Sequence, residues 1–127
     1  MELGGGVKRF DRILIEGLEV QTVIGIYDWE REIRQTVRID LEMAWDITAA
    51  AASDAIGDAL DYKAVAKRLI SFVEASEYGL IESLAERCAA IVMQEFHVPW
   101  LRLKMSKPGA VRHSENVAVL IERGEPV

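Results

Sequence analysis

The sequence predicts an α+β fold, a four-stranded antiparallel sheet with two helices on one face, in the order β-β-α-α-β-β. Three observations carry this prediction: apolar–polar alternation in residues 37–45, two apolar stripes at helical spacing in the middle of the chain, and renewed alternation after residue 100. Strands at both ends with helices between them favour one sheet that the helices cover on one face.

The first part of the chain predicts a long antiparallel hairpin. Residues 10–24 are rich in Ile, Leu and Val, and Gly17 inside this run marks a bulge or bend. Residues 25–32 follow as a loop that carries Asp, Glu and aromatic side chains. The second strand has one buried and one wet face, and its apolar positions are Val37, Ile39, Leu41, Met43 and Trp45.

The middle of the chain predicts two amphipathic helices. Residues 46–61 lack a strand pattern, and we expect a connection with one helical turn there. Apolar residues at three- and four-residue spacing predict a helix from residue 62 to 73, with Asp61 as its N-cap, and another over residues 81–96. Residues 77–79 separate the two helices.

The last third predicts a second hairpin. Residues 101–106 and 117–122 alternate like strands, and Pro108 and Gly109 begin the connection between them. Four strands leave two exposed sheet edges, and pairing with other copies into a ring would cover them. We therefore expect a homo-oligomer.

Composition indicates a single domain and excludes several functional classes. At 127 residues, we expect one domain over residues 10–123, a flexible lead-in at 1–9 and a short tail at 124–127. A formal net charge of −6 argues against nucleic-acid binding. No apolar segment approaches the ~18 residues of a membrane span.

The expected location is the cytoplasm. The N-terminal residues lack a basic start followed by an apolar block, so we expect no secretory signal. Cys88 is the only cysteine and cannot form an internal disulfide, which suits a reducing compartment.

Few side chains offer covalent or proton chemistry, and Lys107 is the best candidate because it sits at a predicted strand end directly before Pro108. His97 and His113 are too few and too distant in sequence for a three-histidine zinc site, so we expect no metal. Cys88 lies on the apolar stripe of a helix, where a small core residue is expected rather than a nucleophile.

Five stretches carry a resemblance to a known family. They are IGIYDWE (24–30), ALDY (59–62), LIESLAE (80–86), SKPGAV (106–111) and NVAVLIER (116–123). In this order and spacing they resemble dihydroneopterin aldolase of the folate pathway, over residues 10–123. The resemblance implies the tunnelling fold, in which sheets join into a tetrameric ring and two rings stack into an octamer with active sites between subunits.

The resemblance also implies an activity. Members of the family split 7,8-dihydroneopterin into 6-hydroxymethyl-7,8-dihydropterin and glycolaldehyde, with no cofactor, metal or Schiff base. Many also epimerise the 2′ carbon of the side chain. Lys107 and Tyr62 match the family's catalytic lysine and tyrosine, Glu30 matches its loop glutamate, Glu82 matches the pterin anchor, and Ile81 matches a residue that positions the ring through its backbone. Glu30 and Tyr62 are thereby expected to contact the substrate as well.

These residue types suit that chemistry. A carboxylate such as Glu82 can accept both donors of a pterin's amidine-like edge, and a predicted helix start favours its ionised form. Retro-aldol cleavage needs a base, here Lys107, while the pterin ring takes up the electrons. A free lysine has a pKa of about 10.4, so burial or nearby positive charge would have to lower it. Each residue also has an ordinary structural interpretation, as a first-turn carboxylate, a solvated lysine, a core tyrosine or a wet loop glutamate.

Two other functions remain open. The first is a 2′-epimerase that acts on dihydroneopterin or its triphosphate, although a triphosphate would need more basic residues than this acidic chain shows. The second is a non-catalytic, ring-forming pterin- or purine-binding module. The sequence leaves the product ratio, the preference for phosphorylated substrate and the number of subunits undecided.

Overall fold

The computed structural model describes residues 10–125. The lead-in predicted at residues 1–9 and the last two residues of the predicted tail lie outside this range. The elements are β1 (Asp11–Thr22), α1 (Asp28–Arg31), β2 (Gln35–Trp45), α2 (Thr48–Ser53), a 3₁₀ turn (Ile56–Asp58), α3 (Tyr62–Glu74), α4 (Ile81–Phe96), β3 (Trp100–Ser106) and β4 (Ala118–Gly124).

The four strands form one antiparallel sheet in the order β1-β2-β3-β4, which confirms the predicted fold class. The bulge predicted in the first strand is present, because the register with β2 shifts between Ile15 and Leu18. Gly17 has a φ of 68° there, and its N–H donates to Asp40 Oδ1 at 2.8 Å. Glycine suits this position because a left-handed backbone is costly for other residues.

The core lies between one face of the sheet and helices α3 and α4. Its sheet side includes Ile39, Met43, Leu101, Leu103 and Met105, and its helix side includes Val65, Leu69, Leu84, Cys88 and Val92, all without solvent exposure. Burial raises the pKa of the Cys88 thiol to about 12, although the nearby Arg68 opposes the shift. Cys88 is therefore a core residue, as predicted.

Three element predictions need correction. The predicted loop at 25–32 contains the short helix α1, and the connection at 46–61 contains α2 and the 3₁₀ turn instead of one helical turn. Four consecutive alanines favour helix in α2, and Asp46 Oδ1 accepts the Thr48 N–H at 3.0 Å near its start. Strand β4 reaches Gly124, one residue into the predicted tail.

The direction of the elements decides which residues can meet. Strands β1 and β3 finish at the end of the sheet where β2 and β4 begin. Helix α3 starts at its predicted N-cap, where Asp61 Oδ1 accepts the Ala64 N–H at 3.0 Å. Helix α3 ends near the end of the sheet where β1 and β3 finish, because the Thr22 hydroxyl, at the end of β1, donates to Val73 O at 2.6 Å. No helix within residues 10–125 is long and apolar enough to cross a membrane.

Candidate active site

An ion pair between Lys107 and Glu30 lies at the end of the sheet where β1 and β3 finish. Lys107 Nζ is 2.6 Å from Glu30 Oε2, and the two side chains are 14% and 7% exposed. Lys107 directly follows β3, and its backbone N–H donates to Val117 O at 2.8 Å, which holds the residue against the approach to β4. The sequence separates the pair by 77 residues, and the sheet brings them together.

The Glu30 carboxylate is held from three sides. Besides Lys107, the Tyr27 backbone N–H donates to Oε1 at 3.2 Å, and Gln35 Nε2 donates to Oε2 at 3.3 Å. Burial alone would raise the pKa of Glu30, but the hydrogen bonds from Lys107, Gln35 and Tyr27 outweigh it and leave this pKa below its usual value. Glu30 is therefore ionised near neutral pH.

Gly25 leaves space for the Glu30 carboxylate because it has no side chain. Its φ of 128° is a backbone conformation that other residues rarely adopt. A Cβ at this position would overlap the Glu30 carboxyl group. Any side chain at position 25 must therefore push the Glu30 carboxyl group out of its present position.

The pair opens into a cavity of about 200 Å³, and two chain segments form walls of it. The first wall is residues 24–27, which follow β1, and the second wall is residues 79–82, which lead into α4. Ile81 and Glu82 occupy the first turn of α4, and Glu82 is exposed. The free backbone N–H groups of that turn favour a negative charge nearby. The cavity thus brings Glu30, Ile81, Glu82 and Lys107 together.

Tyr62 lies elsewhere in this chain. Tyr62 is the first residue of α3, and the other end of this helix contacts Thr22 at the end of β1. At a rise of 1.5 Å per residue, Tyr62 lies about 16 Å from Val73. The ring is 56% exposed and lines a separate depression beside Ala55 and Ile56. One copy of the chain therefore does not bring Tyr62 to Lys107.

Sequence reasoning did not identify the residues that hold the pair. Gln35 Nε2 also donates to Ile24 O at 2.8 Å, so this amide joins the first wall to Glu30. Gly25 falls within the first of the five motifs, and a glycine between two isoleucines was an available signal. Gln35 had no such signal, because its role depends on contacts made only after β1 and β2 pair.

The charged group in contact with Lys107 is the carboxylate of Glu30, whereas the positive charge of Arg102 on β3 lies 3.9 Å from Glu42 and from Glu122. Within residues 10–125, no group of three or more His, Cys, Asp or Glu side chains is arranged to hold a metal ion.

Comparison with known proteins identifies close relatives. The family model for dihydroneopterin aldolase matches residues 13–122. The chain is 47% identical over 114 residues to the dihydroneopterin aldolase of Escherichia coli strain K12, which covers 90% of this chain and 93% of that protein. The crystal structure of the E. coli dihydroneopterin aldolase in complex with neopterin matches with a TM-score of 0.88 at 47% identity, covering 90% of this chain and 99% of that chain.

A second kind of relative is more distant. The dihydroneopterin triphosphate 2′-epimerase of E. coli K12 is 29% identical over 109 residues, which covers 86% of this chain and 91% of that protein. The chain is thus similar to proteins of two activities, and the E. coli aldolase shares more of its residues than the E. coli epimerase does.

Proposed function

Because this chain belongs to the dihydroneopterin aldolase family and is a lyase of folate biosynthesis, we propose that the cavity beside Glu30 and Lys107 is where it cleaves 7,8-dihydroneopterin. The products are 6-hydroxymethyl-7,8-dihydropterin and glycolaldehyde. The observation that carries the proposal is the 2.6 Å contact between Lys107 Nζ and Glu30 Oε2 in a cavity whose second wall holds Glu82. An acid–base pair and a carboxylate anchor are the two things this substrate requires.

Substrate binding falls to the second wall. Glu82 accepts hydrogen bonds from the ring N–H and exocyclic amino group of the pterin, and two parallel charge-assisted bonds orient a flat ring strongly. The backbone N–H of Ile81 donates a hydrogen bond to an acceptor on the same edge of the pterin ring. This grip favours pterins over analogues that lack the donors, because the anchor would then be left unpaired.

Cleavage falls to the ion pair. Acting as the base, the amine of Lys107 takes the proton of the 2′ hydroxyl, the C1′–C2′ bond breaks, and its electrons move into the conjugated C=N of the ring. Glu30 is already ionised and lies 2.6 Å from the amine, so it stabilises the new ammonium group at once. Protonation of C1′ then gives the hydroxymethyl product, with no metal, cofactor or Schiff base in the path.

Completion of the site requires a second copy of the chain. Tyr62 is exposed and lies far from Lys107 in its own chain, and β1 and β4 are the two edges of the sheet. Pairing of such edges between copies produces a closed ring. We propose a tetrameric ring or an octamer of two rings, in which Tyr62 of one subunit contacts the substrate in the cavity of its neighbour and relays a proton.

Mixed subunits test this sharing. Tyr62→Phe and Lys107→Met chains are each expected to be nearly inactive alone, but oligomers formed by refolding them together in equal amounts should regain about a quarter of the wild-type rate, because one site in four combines both intact residues. Each variant refolded alone is the control. A mixture no more active than its components would contradict a shared site.

Product analysis tests the reaction itself. Purified protein incubated with 7,8-dihydroneopterin and a chelator should release 6-hydroxymethyl-7,8-dihydropterin, detected after chromatographic separation of the pterins. Dihydromonapterin as sole product would instead establish the epimerase. An unchanged substrate that still binds would leave only the non-catalytic pterin-binding module.

The second candidate function is 2′-epimerisation, which the 29% identical E. coli epimerase favours. Epimerisation and cleavage share the same retro-aldol intermediate, so one site can perform both. Among the described residues that line the cavity, Lys107 is the only basic one. A triphosphate would find little charge compensation there, and we therefore place epimerisation of free dihydroneopterin as a side reaction.

We also propose that the enzyme works in the cytoplasm. The support is the single, fully buried cysteine, which needs no oxidising compartment. Fractionation of cells that express the protein would test this location.

A further inference from the structure

Arg31 joins the first wall of the cavity to the residues directly before the second wall. Its Nη1 donates to Gly25 O at 2.9 Å in the first wall and to Tyr78 O at 3.1 Å, directly before the second wall. Its Nη2 donates to Glu77 O at 2.5 Å. One guanidinium therefore binds carbonyl groups of two segments that are about fifty residues apart in the chain.

Little else holds these two segments at their spacing. Among the described backbone hydrogen bonds, a single one joins them, from the Gly25 N–H to Tyr78 O at 3.2 Å. Gly79 lies close to the first wall, since a Cβ there would lie 3.2 Å from Ile26 Cγ2. The ion pairs formed within residues 10–125 do not include Arg31. The hydrogen bonds of its guanidinium group go to backbone carbonyl oxygens. Hydrogen bonds from a charged donor are stronger than those between neutral groups.

The spacing of the walls matters for binding of the substrate. The first wall carries the backbone N–H of Tyr27 that holds Glu30, and the second wall carries Glu82. Their separation therefore sets the distance from the pterin anchor to the acid–base pair. We propose that Arg31 is a positioning residue, which fixes the width of the cavity and so the affinity for the pterin ring. This inference rests on the proposed function of Glu82.

Arg34 offers a matched control. Its Nη2 donates to Gln21 O at 3.0 Å and to Glu74 O at 2.7 Å, so it also bridges carbonyl groups of two distant segments. Both arginines are exposed. Neither Gln21 nor Glu74 lines the cavity. Loss of either arginine removes similar bonds, but only Arg31 touches the walls.

Arg31→Met and Arg34→Met should be compared by amide hydrogen exchange without ligand. Arg31→Met should speed exchange of the two walls at least about tenfold, including the Gly25 N–H, whereas Arg34→Met should leave these amides near wild type. Equal effects of the two variants, or wild-type exchange in Arg31→Met, would overturn the proposal that Arg31 holds the two walls at their spacing. This measurement needs no substrate and decides that proposal even if the proposed function fails.

Binding and kinetics test the consequence for the substrate. Arg31→Met should raise the Kd for neopterin and the KM for 7,8-dihydroneopterin about five- to twentyfold, with kcat within about threefold, because the Lys107–Glu30 contact keeps its own supports. Arg34→Met should change neither constant, and Glu82→Gln should lose pterin binding. An unchanged Kd in Arg31→Met beside a wild-type protein that binds neopterin would overturn the positioning role. Wild-type protein that fails to bind any pterin would instead overturn the proposed function.

Discussion

Replacing Lys107 with methionine will lower kcat about 10³-fold, because a positioned general base contributes roughly 10²–10⁴ to a rate. Methionine keeps much of the length of the side chain and removes the amine that faces Glu30 at 2.6 Å. Binding of neopterin should change little, since Glu82 on the second wall is untouched. Single-turnover kinetics with 7,8-dihydroneopterin and a fluorescence titration with neopterin measure the two effects separately.

Lys104→Met is the matched control for this experiment. Lys104 lies on β3 three residues before Lys107, and both lysines are half-buried. Residue 104 does not line the cavity, so the control should keep the wild-type kcat. Retention of more than a tenth of the activity in Lys107→Met, or an equal loss in the control, would remove Lys107 from the role of base.

Replacing Gly25 with alanine will lower both stability and activity. The new Cβ overlaps the Glu30 carboxyl group, and a φ of 128° is strained for alanine. The strain and the displaced carboxylate together should cost about 2–4 kcal/mol of unfolding free energy, since each such backbone outlier costs about 1–3 kcal/mol. The activity of the folded fraction should drop about a hundredfold because Glu30 no longer supports Lys107. Urea unfolding and kcat at the same temperature measure both.

Gly17→Ala separates the strain from the overlap. Gly17 also has a positive φ, at 68°, but a Cβ added there would have no atom within 4 Å beyond its chain neighbours. This control should lose about 1 kcal/mol and keep full activity. An active Gly25→Ala enzyme, or equal stability losses in the two variants, would show that the position of the Glu30 carboxylate does not depend on the absence of a side chain at residue 25.

The strand alternation and helical stripes predicted the antiparallel sheet, the bulge at Gly17 and the cap at Asp61, because these features depend on residues near one another in the chain. The prediction at residues 25–32 missed the short helix α1, and the prediction at 46–61 gave one helical turn where α2 and a 3₁₀ turn lie. Short helices have weak patterns, and their contacts with other segments decide whether they form. The hydrogen bond from Lys107 Nζ to Glu30 Oε2, across 77 residues, is one such contact in α1.

The sequence by itself determined the fold, because periodic burial and local turn chemistry depend on neighbouring positions, and its resemblance to a known family indicated the residues that suit pterin cleavage. Only the tertiary structure decided which of those residues meet. It places Lys107 against Glu30 across 77 residues, supports Glu30 with Gln35, joins two segments beside the cavity through Arg31, and leaves Tyr62 at the far end of α3. The physical reason is that side-chain hydrogen bonds form between groups that strand pairing and helix packing bring within about 3 Å, and no local pattern encodes that distance.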